Sequence, residues 1–318
     1  MPEKSESIAQ PSVCLALTFL FIGLSYAIPT PLLHPAEVQR VSSFMATEVA
    51  NVYALTAWAG MAHFVYAYRG QVLSLRATRV ANLLPYALAV VVVLAFLLGA
   101  RALIGVGPFG AITWTYFIFH FHRAEAFFSG TQLTKWDWRD PMMVILTFAW
   151  LSVVLLNPGN PLLMPWVIWL FSLGLAALVM ANDGLDRLMS SRERQPLLCL
   201  FFIGESLVWG TVGRFAGPSF LFGVYVFHIA AASYFHYFGS YFAAFHRGNG
   251  RDSWLRLSGV FLVNSCLIGL GLWVARSEPH PALRPVLGVE WFTYWVAAHL
   301  VMSDLFPWLR RKVIGGQL

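Results

Sequence analysis

Charged residues are scarce in this sequence. They make up 11% of the chain, whereas hydrophobic residues make up 58% and the mean hydropathy is +0.65. Soluble domains have about 25% charged residues, which cover the surface that faces water. This composition leaves too few polar groups for such a surface. We therefore expect a polytopic membrane protein with the lipid bilayer as its first partner.

Cysteine is also rare, and dense histidine motifs are missing. The three cysteines all lie in apolar segments, and an odd number in such places argues against a disulfide framework or a cysteine metal site: Cys14, Cys199 and Cys266. The HxxxH and HxxHH clusters of membrane desaturases and hydroxylases are absent. The net charge of +6 needs no nucleic acid to explain it, because the basic residues are spread over short loops.

Long apolar runs dominate what is present. A helix needs about 20 apolar residues to cross a bilayer, and the sequence predicts about ten such helices in an all-α fold. The runs lie near 12–30, 48–68, 80–104, 109–128, 141–157, 162–182, 196–213, 219–246, 255–276 and 287–308. Lysine and arginine collect on one side of these segments, which places both termini in the cytoplasm. We expect an integral protein of the bacterial inner membrane.

The two halves of the chain resemble each other. Leu20–Ser25 matches Phe201–Ser206, and histidines recur about 175 residues apart within helices of the same rank. The sequence thus predicts two duplicated four-helix bundles in parallel orientation, with an inserted helical hairpin between them. The expected divisions are a cytoplasmic tail at 1–11, a first repeat at 12–130, the hairpin and its loops at 131–195, a second repeat at 196–308 and a basic cytoplasmic tail at 309–318.

Four histidines fall near the cytoplasmic ends of matched helices: His63, His120, His236 and His299. Ionisable groups inside a bilayer are costly and usually pair or line a functional cavity. We predict that these four form a metal site in the cytoplasmic leaflet. The same region contains three residues that we take as catalytic, either as auxiliary ligands or as proton carriers: His122, Glu125 and Asp304. A single intramembrane histidine more often bonds a neighbouring helix, but repetition in both halves favours a site.

Two metal interpretations compete. Histidine with carboxylate suits non-haem iron, which keeps coordination positions free for oxygen. Bis-histidine haem b needs two helices that offer one imidazole each, which His63 with His120 and His236 with His299 would provide. In that respect the plan resembles the haem A synthase family, with histidines on the second and fourth helices of two related bundles. The family's acidic residue before the first histidine and its arginine after it are missing at His63 and His236, and two helices are extra.

A third interpretation is a proton-coupled transporter, with a structural subunit as the plainest alternative. Glu205 is an acidic residue within an apolar segment, and the first half has no acidic residue at the matching position. Pro85 is the one candidate for a break within a spanning helix. The carboxylates beside the histidines favour a metal-dependent membrane oxidoreductase with non-haem iron. A site at leaflet depth suggests a hydrophobic substrate such as a lipid, an isoprenoid or a carotenoid.

Overall fold

The described part of the chain is mostly helical. The computed structural model describes residues 9–43, 45–74, 84–128, 204, 215, 217–246, 251–276 and 282–313, and no strand occurs among them. The helices are α1 (Ala9–Tyr26), α2 (Pro35–Val41), α3 (Thr47–Ser74), α4 (Leu84–Ile104), α5 (Val106–Phe128), α6 (Pro218–His246), α7 (Arg251–Arg276), α8 (Arg284–Leu287) and α9 (Phe292–Val313), with a 3₁₀ turn at Val289–Trp291 before α9.

The all-α prediction is confirmed, and seven of these helices match apolar runs that the sequence indicates. Their ends differ from the expected ones by a few residues, because helices extend beyond the apolar stretch into polar flanks such as Arg251. The predicted helices at 141–157 and 162–182, the 131–195 insertion and nearly all of 196–213 lie outside the described residues.

Local chemistry explains several helix ends. Pro35 and Pro218 are the first residues of their helices, where the missing proline N–H removes no helical hydrogen bond. After Pro85 the described helix α4 continues without interruption to Ile104. Between α4 and α5, Gly105 has φ +84, a left-handed conformation that favours glycine and permits the sharp turn.

The chain divides into two compact units. The first consists of Met1–Thr56 and Ile118–Gly259, and the second of Ala57–Phe117 and Val260–Leu318. These boundaries differ from those of the expected repeats, so the duplication stays a prediction.

In the first unit, aromatic rings join α1 to α6. The ring of Phe21 lies 5.9 Å from that of Tyr234 and 5.3 Å from that of Phe238, and Phe19 lies 6.4 Å from Phe227. Such aromatic pairs contribute about 0.5–1.5 kcal/mol each beyond simple burial. They fix α1 along one face of α6.

Asn51, near the start of α3, holds the segment that follows α1. Its side-chain amide donates to the carbonyls of Ile28 and Thr30, and its Oδ1 accepts from the N–H of Leu32 at 2.9 Å. Asn51 is fully buried. One side chain thus satisfies three backbone groups of a non-helical segment.

Replacement of Asn51 by alanine should therefore destabilise the first unit. Three backbone groups would lose their partner, so we expect the free energy of unfolding to fall by about 2 kcal/mol or more. The measurement is denaturant-induced unfolding in detergent. Asn264→Ala is the control, because Asn264 donates to the Val260 carbonyl of its own helix. An equal loss in both variants would contradict the role assigned to Asn51.

In the second unit, α4 packs along α9. Val93, Leu97, Phe109, Ala298 and Met302 belong to one buried apolar cluster between these helices and α5. In addition, the Tyr294 hydroxyl donates to the carbonyl of Leu94 at 3.0 Å. This packing determines the position of α9, on which His299 lies.

Three long side chains anchor the segment before α9 by donating to its carbonyls. Trp58 Nε1 donates to Leu287, Arg101 Nη2 to Glu290 and Trp295 Nε1 to Pro285, at 2.8–3.2 Å. The Arg101 guanidinium also lies 4.2 Å from the centre of the Trp291 ring, a favourable cation–π contact. Hydrogen bonds from three side chains therefore stabilise the turn that leads into α9.

Gly271 of α7 provides the space that Trp58 needs. A Cβ at Gly271 would overlap the buried indole ring. Gly271→Ala should therefore lower the free energy of unfolding by about 1–3 kcal/mol through overpacking, measured by thermal unfolding in detergent.

Gly269→Ala is the matched control for this prediction. Nothing lies within 4 Å of a Cβ at Gly269, and alanine has a better helix propensity than glycine by up to about 1 kcal/mol. This variant should be neutral or slightly more stable. A stable Gly271→Ala protein would show that Trp58 has room to move.

Among the described residues, two helical segments are long and apolar enough to cross a membrane, Leu84–Ile104 and Trp254–Arg276. Only 11% of the apolar window in each is buried. Large apolar side chains such as Leu88, Phe96 and Phe261 are exposed.

Candidate histidine sites

Two pairs of histidine rings lie in contact, one pair in each unit. In the second unit His63 of α3 meets His299 of α9, with ring centres 5.3 Å apart and planes at 73°. The two residues are only 5% and 4% exposed. The packing of α9 against α4 and the anchored turn before α9 bring His299 to this position.

The ring of His299 packs against aromatic side chains of α3. The ring of Phe64 stacks on it at 4.8 Å, and the ring of Tyr68 meets it edge to face at 5.9 Å. Phe64 and Tyr68 are four residues apart and share a helix face. The phenylalanine and tyrosine thus enclose His299 together with His63.

In the first unit His120 of α5 meets His236 of α6. Their ring centres are 5.4 Å apart and their planes at 68°, nearly the same geometry as in the second unit. His236 is 3% exposed, whereas His120 is partly exposed. Phe121 also contacts His236, with ring centres 5.8 Å apart.

All four predicted metal ligands therefore lie in pairs, but in a different combination from that of the haem interpretation. That interpretation joined His63 with His120 and His236 with His299. The structure brings together His63 with His299 and His120 with His236. Each contact joins a helix from one half of the sequence to a helix from the other half.

The spacing of the rings tests which metal group each pair fits. With metal–nitrogen bonds of about 2 Å, two imidazoles on one tetrahedral ion have ring centres about 5 Å apart, and two on opposite sides of a haem iron about 6 Å. The observed 5.3 and 5.4 Å lie near the first value, and they are also ordinary distances for aromatic rings that pack edge to face.

Of the predicted auxiliary residues, the structure describes the side chain of Asp304. Its Oδ2 accepts a hydrogen bond from the hydroxyl of Tyr116, which joins α9 to α5 within the second unit. The side chains of His122 and Glu125 lie outside the described residues. Among the described residues, no group of three or more histidine, cysteine, aspartate or glutamate side chains is placed to hold a metal ion.

Phe64, Tyr68 and Tyr116 each contact a predicted site residue but were not predicted as members of the site. The signal was present for Tyr68, which lies five residues after His63 as Tyr241 lies after His236. A further histidine, His228 of α6, is fully buried in the first unit. Glu205, central to the transporter interpretation, lies outside the described residues.

No protein-family profile, curated protein or solved structure matches this chain.

The bond between Tyr116 and Asp304 should make a measurable contribution to the second unit. A double-mutant cycle with Tyr116→Phe and Asp304→Asn should give a coupling energy of about 1–3 kcal/mol, as for hydrogen bonds to charged groups. Unfolding of the four proteins in detergent gives this energy.

Tyr294→Phe provides the control for this cycle. Its hydroxyl donates to the Leu94 carbonyl, more than two helical turns from Asp304, so its effect should add to that of Asp304→Asn. A coupling near zero for Tyr116 would mean that the phenol and the carboxylate act independently.

Proposed function

We propose that this chain is an integral membrane protein that binds a transition-metal ion at each histidine pair and acts as a metal-dependent oxidoreductase. The observation that supports this most strongly is the repetition of one arrangement. His63 with His299 and His120 with His236 have ring separations that differ by 0.1 Å and interplanar angles that differ by 5°. Other rings that pack edge to face have similar spacing, such as Tyr294 with Trp295 at 5.3 Å and 78°, so the support comes from the recurrence of histidine pairs at matched positions of the two halves.

The exposed apolar helices support the membrane location. A core helix of a soluble protein would be buried by its neighbours, whereas Leu84–Ile104 and Trp254–Arg276 are mostly uncovered. Lipid tails are the natural cover for such surfaces. Together with the distribution of lysine and arginine, this favours a bacterial inner-membrane protein with about ten spanning helices and both termini in the cytoplasm.

Non-haem iron is the metal that we propose. Imidazole suits iron, copper, zinc and nickel, and the ring spacing favours a small ion over haem. The bound iron would supply redox chemistry and an open position for oxygen. His122 and Glu125, which follow His120 in α5, are the proposed further ligands or proton carriers. Asp304, by its bond with Tyr116, would position α9.

The same arrangement supports the proposed duplication. His236 and His299 follow His63 and His120 by similar intervals in the sequence, and each contact joins a second helix of one repeat to a fourth helix of the other. Two parallel repeats related by an axis along the membrane normal would produce two equivalent contacts of this kind. Because the helices would lie in the bilayer, we propose an apolar substrate such as a lipid or an isoprenoid.

Metal analysis and a visible spectrum of the detergent-purified protein test this proposal. We expect about two iron ions per chain and no Soret band, because each pair should bind one small ion. Removal of a single imidazole by His63→Ala or by His236→Ala should lower the content by about one ion. His34→Ala is the control, because His34 is exposed and its Nδ1 accepts from the N–H of Ala36.

Two results would contradict the proposal in different ways. A Soret band lost in His63→Ala or His236→Ala would establish haem in place of non-haem iron. Metal-free, colourless protein after growth and reconstitution with iron would leave the histidines as helix-packing residues and favour transport or a structural role.

A further inference from the structure

Arg101 is a charged residue at the end of a helix whose surface is otherwise apolar and exposed. It lies in the last turn of α4, which is long and apolar enough to cross a membrane. In the proposed orientation this end of α4 lies on the side away from the cytoplasm, where lysine and arginine are few. A basic residue at such a place is a candidate for a specific contact.

Two contacts hold the Arg101 guanidinium in place. Its Nη2 donates to the carbonyl of Glu290 at 3.2 Å, and its Cζ lies 4.2 Å from the centre of the Trp291 ring. The Glu290 carboxylate is bonded to Arg284, and among the described residues Arg101 forms no ion pair of its own. A guanidinium has five N–H donors in a planar fork, so donors remain for a further acceptor.

The charges around Glu290 do not cancel. Arg101 and Arg284 both bond to this residue, so two guanidinium groups accompany one carboxylate and leave one positive charge. Beside a lipid-facing surface the effective dielectric constant is lower than in water, and an anion is attracted more strongly. The cluster therefore complements a ligand with one negative charge.

An exposed apolar strip leads along α4 to Arg101. Leu84, Val91 and Leu98 are 71%, 63% and 47% exposed, and their spacing of seven residues places them on one helix face. Arg101 follows three residues after Leu98, at the edge of the same face. At 1.5 Å per residue, Val91 lies about 15 Å from Arg101, which is about half the thickness of a hydrocarbon core. The strip thus matches one acyl chain, with the guanidinium at the depth of the headgroup.

We propose that Arg101 and Trp291 form a binding site for one anionic phospholipid. Its phosphate accepts hydrogen bonds from the guanidinium, whose fork matches phosphate oxygens, and an acyl chain lies along Leu98 and Val91. This proposal rests on the proposed membrane location and is independent of metal binding. A zwitterionic headgroup carries an ammonium group that offsets the attraction, so a lipid with net negative charge is preferred.

Native mass spectrometry of the detergent-purified wild-type protein tests the headgroup preference. The first phosphatidylglycerol should bind about tenfold more tightly than phosphatidylethanolamine, as expected for hydrogen bonds between charged groups. Diacylglycerol, which lacks the phosphate, should show no such binding. Equal affinity for the three lipids would overturn the proposal. Displacement of phosphatidylglycerol by millimolar inorganic phosphate would also overturn it, because the site would then bind a soluble anion.

Arg101→Gln removes the charge and should abolish the preference for phosphatidylglycerol. Arg276→Gln is the matched control, because Arg276 is an exposed arginine in the last turn of α7, the other exposed apolar helix; this variant should keep the preference. An equal loss in both variants would show unspecific attraction by basic residues and overturn the proposal.

Trp291→Leu provides a second test, because Arg101 also stabilises the turn before α9 and its replacement affects folding. This variant removes the ring beside the guanidinium but retains the charge and the backbone carbonyl of Glu290. The affinity for phosphatidylglycerol should fall about threefold, as expected for the loss of a cation–π contact that orients the guanidinium. An unchanged affinity would contradict the role of Trp291 in the site.

The outcomes separate this proposal from the proposed function. Protein that stays in solution without detergent or membrane would refute the membrane location and the lipid site with it. Protein that requires detergent, but binds phosphatidylglycerol and phosphatidylethanolamine equally, would refute the lipid site alone.

Discussion

An imidazole buried among apolar side chains needs a polar or metal partner, and this constraint organises both units. Desolvation of an unsatisfied polar group costs about 1–3 kcal/mol, so buried histidines are placed where helices can satisfy them together. Here one of the side chains in contact with each of these four histidines is a second histidine from a distant part of the sequence. These contacts join α3 to α9 and α5 to α6.

The second unit shows how much structure is needed to place one such ring. His299 depends on α9, and the start of α9 depends on the turn that Trp58, Arg101 and Trp295 hold. Trp58 in turn requires a residue without a side chain at 271. This chain of contacts is specific in geometry although its members are mostly apolar or aromatic.

Composition and the lengths of the apolar runs were sufficient to predict the described helices. In an apolar environment, a single run such as Leu84–Ile104 satisfies its own backbone hydrogen bonds as a helix. The same sequence features also singled out His63, His120, His236 and His299, which the structure places in two ring contacts. They could not predict which histidine meets which, because helix neighbours are chosen by side-chain fit. The stacking of Phe64 on His299 depends on how the helices pack in three dimensions. The spacing of residues along the sequence does not reveal it.

The carboxylate of Asp304 has a different kind of partner from the histidines. The sequence places Asp304 five residues after His299, about 140° around a helix, so it cannot stand beside the ring. The structure gives it the Tyr116 hydroxyl as a partner. A hydrogen bond from one phenol occupies one of the roughly four lone-pair sites of a carboxylate, so Asp304 keeps acceptor capacity beyond the Tyr116 hydroxyl. In the first unit His120 is partly exposed, whereas His63, His236 and His299 are buried. The structure thus shows one ring arrangement in two different surroundings, and the proposed metal binding would depend on the further ligands that those surroundings supply.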